Sequence, residues 1–280
     1  MTIPIDVETK HRIVVVLLWL AALVALAVLA FIIAVVLWNG LPAVTLSFLL
    51  ESPRDMGRAG GIFPMVVSTV AVTLLAVIVA APLGVGTAIY LTEYTSETAL
   101  TRVIRFGAEC LAGVPSIIFG LFGFIFFVIQ LGMGWSVLSG GLTLAVMILP
   151  TVMRTAEEAI RAVPESFREA SFSTGASRWQ TVTQVVLPSA LPGIVTGVIL
   201  GVGRGVGETA AVIFTAGSSL HIPTSIFSPA RTMAVHFYIL AREGISMRHA
   251  YGTAAVLVIL ILAINTAANW LMLRFQAKQG

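Results

Sequence analysis

The stretch GVGRGVGETAAV, residues 201–212, sets Arg204 and Glu208 four residues apart among Val, Ala and Gly. That spacing puts both side chains on one face of a helix. An arginine at the centre of a membrane helix costs about 2.5–3.5 kcal/mol on insertion scales, so such a residue turns to another helix or to water. Two chemistries fit the pair. One is an interhelical ion pair that fixes packing. The other is an anion contact, because guanidinium is a planar fork of donors that matches oxyanion oxygens. Gly201 and Gly205 share one helix face, and Gly203 and Gly207 another. Small residues there permit close helix approach and leave backbone within reach of a ligand. The repeat is no dinucleotide fingerprint, since no strand precedes it.

A second group lies in PESFREASFSTGASRWQTVTQVVLP, residues 164–188. Pro164 suits the first turn of a helix, and Glu165 and Arg168 fall on one face of it. Gly175 fits a helix stop with positive φ. Ser177 and Gln180 form the pattern of a capping box that starts a second helix. Phe167, Ala170, Ser171 and Thr174 line one side of the first helix, one large residue among small ones, which suits a partner's groove.

Other candidates carry little chemistry. His11, His221, His236 and His249 show no metal-ligand spacing. Glu157 and Arg161 read as a solvated pair. Cys110, the single cysteine, reads as a small buried apolar residue and excludes an internal disulfide. A phosphate-binding loop needs a lysine after its glycines. The two lysines, Lys10 and Lys278, follow no such loop. No nucleophile is paired with a base, so no catalytic residue is assigned and the chain itself binds no cofactor.

These residues must be held by apolar elements. The 280 residues are 58% hydrophobic and 10% charged, against about 25% charged in soluble domains. Uncharged runs cover 26 residues at 13–38, 34 at 59–92, 44 at 110–153 and 24 at 250–273. About 20 apolar residues cross a bilayer. The sequence predicts an all-α polytopic membrane protein with six spans, at about 13–38, 63–91, 105–131, 138–160, 188–217 and 250–273. Residues 39–61 form an external loop with a flexible tip at SPRDMGRAGG. ARTMAVHFYILAREG predicts a short helix at the outer surface. Pro82, Pro115, Pro150 and Pro192 fall inside spans, where proline removes a backbone donor and can kink a helix. Ten Lys and Arg fall on the side of the termini and five on the other, which puts both termini in the cytoplasm. The basic residues are scattered, without the clustering that nucleic acid requires. The chain divides into residues 1–62, a tail, first span and external loop, and a core at 63–275.

Glu169, Ala170, Ser171, Gly175, Val185, Leu187 and Pro188 match E-A-A-x3-G-x9-I-x-L-P, with Ser for the second Ala and Val for Ile. The segment resembles the EAA motif of bacterial ABC importer permeases. The resemblance implies a type I ABC importer transmembrane domain, with a coupling helix at about 164–176 through which Glu169, Ala170, Ser171 and Gly175 meet an ATPase. AIYLTEY, LAGVPSIIFGLFG, GGLTLAVMILPTVMRTAEEAIRAVP and GRGVGETAAVIFTAG resemble, in order, the PstA-type permeases of phosphate-specific ABC importers. By that resemblance Arg204 and Glu208 match the family's charged pair on the substrate pathway. Gly205 stands where the family often has Ala. The family further implies a PstC-like second permease, two ATP-binding subunits that carry ATP and Mg, an external phosphate-binding protein and a bacterial inner-membrane location. A permease for molybdate or sulfate shares the coupling helix. An ion-coupled secondary transporter needs a titratable relay within the membrane, and Glu208 is its sole candidate.

Overall fold

The computed structural model describes residues 7–276, without the side chains of 7, 9, 10 and 271–276. The tail 1–6, Lys278 and the side chains of Lys10 and Arg274 lie outside that description. Twelve α-helices follow one another among the described residues. They are α1 (Val7–Gly40), α2 (Leu46–Leu50), α3 (Phe63–Ile89), α4 (Ala99–Gly113), α5 (Ser116–Gly123) and α6 (Val137–Arg161). After these come α7 (Glu165–Ser173), α8 (Arg178–Thr181), α9 (Leu187–Val206), α10 (Ala210–Thr215), α11 (Met233–Arg242) and α12 (Met247–Gln276). π-helical turns prolong α3 through Tyr90–Tyr94 and α5 through Phe124–Gln130, and Val182–Val186 joins α8 to α9. Five stretches are long and apolar enough to cross a bilayer: His11–Ala43, Phe63–Tyr94, Val137–Arg161, Arg178–Val206 and Met247–Trp270.

The sixth span differs from expectation. Residues 99–130 form two helices bent by 104°. Proline disfavours helical geometry in the residue before it, and Val114 and Pro115 have ψ of 130° and 142°, both extended. Pro82, Pro150 and Pro192, in contrast, lie inside unbroken helices. α4 then crosses the last turns of α6, with Ala108 against Met153. Cys110 is exposed, which corrects the buried reading. It lies two residues, about 200° of helix rotation, from the packed Ala108. The fifth span also stops early: α9 ends at Val206 and the chain restarts as α10.

The packing centre is α6. Ala76, Ala80, Gly84 and Ala88 form a buried stripe on α3 at intervals of four. They pack on Leu144, Ile148, Val152 and Ile160 of α6. On the other flank α9 presents Gly193, Gly197, Gly201 and Gly205, also four apart. Cβ atoms built there would meet Ala159, Thr155, Val152 and Leu144 of α6 at 2.5, 2.7, 3.3 and 3.2 Å. Two small-residue stripes thus clamp one helix, the way bilayer helices gain van der Waals contact without a hydrophobic driving force. Arg204 is carried one residue, about 100°, round from Gly205.

The outer pieces are more ordered than expected. The tip at 52–61 is a hairpin, with β1 (Pro53–Arg54) antiparallel to β2 (Ala59–Gly60). Asp55, Met56 and Gly57 all have positive φ and close it. α11 forms where a surface helix was expected, but Met233, Ala234, Val235, His236 and Leu240 are buried in it. Thr69 of α3 fixes its start by accepting from the Met233 amide at 2.9 Å. α1 packs against α12, where Gly40 lets the helices close to backbone contact at Tyr251. Most of the rest of α1 is exposed.

Candidate functional site

Pro164, extended at ψ 139°, leads into α7. The helix ends as its sequence demands. Gly175 takes φ +84°, its amide donates to Phe172 O at 2.9 Å, and the Ala176 amide donates to Ser171 O at 3.3 Å. This is a Schellman stop. Ser177 and Gln180 then exchange both capping-box bonds and start α8. Ser171 Oγ lies 2.8 Å from Thr181 Oγ1, so the two short helices hold each other. Phe167 and Trp179 stand 48% and 66% exposed, with Glu169, Ala170 and Thr174 also open and Ser171 half-buried. The face assigned to a partner is therefore free to meet one.

What holds α7 to the bundle is a side chain that sequence reasoning missed in this role. Arg168 turns inward and is buried. Its Nη2 donates to Glu93 Oε1 at 2.7 Å and to Ile160 O at 3.0 Å, and Nη1 donates to Val163 O at 2.8 Å. The expected contact to Glu165 is present but longer, at 3.4 Å. Hydrogen bonding to Glu93 holds the Arg168 guanidinium above its ordinary pKa against the opposing effect of burial. Glu93 lies 75 residues away, and no local spacing marks it. A second clamp replaces the expected solvated pair. Glu157 is 8% exposed and accepts from Arg105 Nε at 2.9 Å and from Arg161 Nη2 at 2.7 Å. Arg105 also reaches Glu97. The missed signal was α4, which delivers Arg105 to Glu157 only because of the bend at Pro115.

Arg204 and Glu208 are not brought together. Among the described residues no ion pair joins them, because the helix stops between them. The Glu208 amide donates to Gly205 O at 3.2 Å, closing α9. The Glu208 carboxylate points onward, and its Oε1 accepts from the Ala211 amide at 3.1 Å, capping α10. Arg204 is exposed, on a stripe with Leu200 and Gly207. Among the described residues it has no hydrogen bond or ion pair. Its depth follows from its neighbour. Gly205 packs on Leu144, seven residues from the start of α6 and so about 10 Å inside that helix. The arrangement offers a permanent cation well within the span, on a face that this chain does not cover. Among the described residues no cluster of potential ligands could hold a metal ion.

Comparison with known proteins fits this architecture. The family model for the inner membrane component of binding-protein-dependent transport systems matches residues 80–279. A probable ABC transporter permease protein, YqgI of Bacillus subtilis (strain 168), is 36% identical over 268 residues, 90% of this chain and 91% of its own. The phosphate transport system permease protein PstA of Xylella fastidiosa (strain Temecula1) is 32% identical over 238 residues, covering 84% and 83%. In structure, a bacterial alginate ABC transporter chain superposes with TM-score 0.66 at 14% identity, over 95% of this chain and 96% of that one. A chain of the inward-facing MetNI methionine ABC transporter superposes with TM-score 0.61 at 22% identity, over 77% and 94%. The fold is that of a type I ABC importer transmembrane domain, and the chain belongs to the family of inner membrane components of binding-protein-dependent transport systems.

Proposed function

We propose that this chain forms one half of the translocation pathway of an ATP-driven importer of inorganic phosphate, working by alternating access. The observation that carries the reading is Arg204, a permanent cation inside the span, without an ion pair among the described residues and on an uncovered face. Similarity to PstA permeases supports phosphate as the anion. The open face of α9 meets a homologous PstC-like permease, and the pathway runs between them. α7 docks on one of two ATPase subunits, which hold ATP and Mg, and an external binding protein delivers phosphate. The chain sits in the bacterial inner membrane with both termini cytoplasmic.

The reading separates Arg204 from Glu208. Arg204 meets the anion, and Glu208 fixes the start of α10 beside it. Arg204→Gln reduces phosphate uptake by reconstituted complexes to background while insertion and ATPase association stay normal. Because no ion pair links the two residues, the double variant Arg204→Gln with Glu208→Gln stays inactive. Near wild-type phosphate uptake by either variant would falsify the pathway role. Competition of wild-type uptake by sulfate or molybdate, at concentrations where they match phosphate, would reassign the substrate.

A further inference from the structure

At the end opposite α7 a second arginine is set apart from the pathway residue. Arg231 is 6% exposed. Its Nε donates to Ser218 O at 2.9 Å, and its Nη1 lies 3.4 Å from His236 Nδ1. Among the described residues no carboxylate lies within ion-pair distance of it. Among the described residues Nη2 has no hydrogen-bond partner, and it keeps accessible surface, since Ser68 Oγ is the sole fully buried polar side-chain atom left unsatisfied among them. The guanidinium borders a cavity of about 740 Å³ lined also by Arg58, Arg242, Asp55 and Glu243, room for an oxyanion and several waters at about 30 Å³ each.

The charges there are three arginines against two carboxylates, and among the described residues none of the five is in an ion pair. Arg242 Nη1 donates to Tyr238 OH at 3.0 Å, which aims it along α11. Burial works against the charge of Arg231, and its neighbour His236 offers a neutral acceptor and no counter-charge. The wall facing α11 is the tip of the hairpin, where Asp55 and Met56 adopt positive φ at 49° and 59°. Such strain persists where surrounding structure enforces it, and clusters at binding sites. The turn lies close on α11: a Cβ on Gly57 would lie 2.9 Å from the His236 ring. Ile213 and Ser218, also in the wall, flank the end of α10. That helix is six residues long, about 9 Å, and Glu208 caps its other end.

We propose that this cavity is an oxyanion site at the mouth of the pathway, where Arg231, Arg58 and Arg242 hold inorganic phosphate before it passes α10 to Arg204. The proposal rests on the phosphate-import reading above. Its test uses the assembled transporter in lipid nanodiscs, treated with the arginine reagent phenylglyoxal in phosphate or in chloride of equal ionic strength. Mass spectrometry follows modification of the exposed Arg58 and Arg242. Arg248, exposed at the same end but outside the cavity, is the control.

Phosphate slows modification at Arg58 and Arg242 at least threefold and leaves Arg248 unchanged, and Arg231→Gln abolishes the protection. Equal rates in the two salts overturn the site, as does undiminished protection in Arg231→Gln. Should that variant fail to assemble, the wild-type comparison decides alone. Protection by phosphate-free binding protein and not by phosphate also overturns it, in favour of a docking contact for a protein carboxylate. Phosphate uptake by the same transporter reconstituted in sealed liposomes separates the two levels. Uptake without protection sinks the site alone, and protection without uptake keeps the site and sinks the import reading.

Discussion

Arg168 shows how much one residue can decide. Its guanidinium gathers the end of α6, through the carbonyls of Ile160 and Val163, and the end of α3, through Glu93, onto the helix that meets the ATPase in the proposed complex. Removing one member of a buried ion pair costs about 3–5 kcal/mol, because the other charge is left without a partner. Arg168→Met therefore lowers the thermal stability of the purified protein more than any substitution on the open face of α7, such as Phe167→Ala. Adding Glu93→Gln recovers part of the loss, with a coupling of about 1–3 kcal/mol in a double-mutant cycle. Strict additivity would mean that the contact is incidental. His236 sets a pH limit in the same way. It is buried and faces Arg231 and His249, and burial, followed by those charges, lowers its pKa to about 3. The unfolded value is about 6.5. Between these values the unfolded chain binds a proton that the folded chain does not, so stability is full above pH 6.5 and falls as pH drops toward 3. Melting temperature measured across that window shows the slope, and His236→Gln flattens it. Equal slopes in both proteins would contradict a buried neutral imidazole.

At the scale of elements, legibility followed locality. The α7 stop, the capping box and the new start at α8 were readable because every bond in them spans six residues or fewer. Gly175 gives the sharpest test. Nothing lies within 4 Å of a Cβ built there, so only its φ of +84° resists substitution. A left-handed L-residue costs about 1–2 kcal/mol. Gly175→Val inserts normally but co-purifies with less ATPase, and Gly175→Asn, better tolerated in this region, retains most of it. Equal yields for Val and wild type would remove the docking role of the turn. The bend at Pro115 and the interruption after Val206 were not legible as breaks. Hydropathy runs unbroken through Pro115 and resumes directly after Glu208, and proline does not break α3, α6 or α9. Neighbours decide such cases: α5 is held aside by α6 and α10, where Gly120 lets the Ala210 and Ala211 backbone approach to about 3 Å of a would-be Cβ. The pairing of Arg204 with Glu208 failed for the same reason, since the spacing of four presumed a helix that ends at Val206.

For the whole molecule, the proposed orientation rests on six crossings, with the bent pair α4–α5 counted as one, and on the placement of Lys and Arg. With Cys110 exposed, it must first be replaced by serine before any labelling. Single cysteines at Arg54, on the hairpin, and at Trp179, beside α7, are both at exposed positions. An impermeant thiol reagent added to intact cells labels position 54 and reaches 179 only after lysis. Labelling of 179 from outside would invert the proposed topology. The three-helix centre of α3, α6 and α9 was foreshadowed by Gly201 and Gly205 alone. The matching stripe on α3 escaped notice because Ala is unremarkable in any apolar helix.

The interruption between α9 and α10 also constrains what solvent lies beside it. Peptide groups outside a helix cannot be left against hydrocarbon, and irregular backbone at this depth persists only inside protein or beside water. Gly207 is exposed in the lone chain, and Glu208 and Thr209 are half-buried. Acyl chains are therefore excluded from this strip, and the seam with any second subunit must be wet at the level of Arg204 even where its rims are dry. The interval is a hydration defect written into the backbone: amide hydrogens at 207–209 exchange with deuterated water faster than those of the glycine stripe on α9, in every state of the transport cycle.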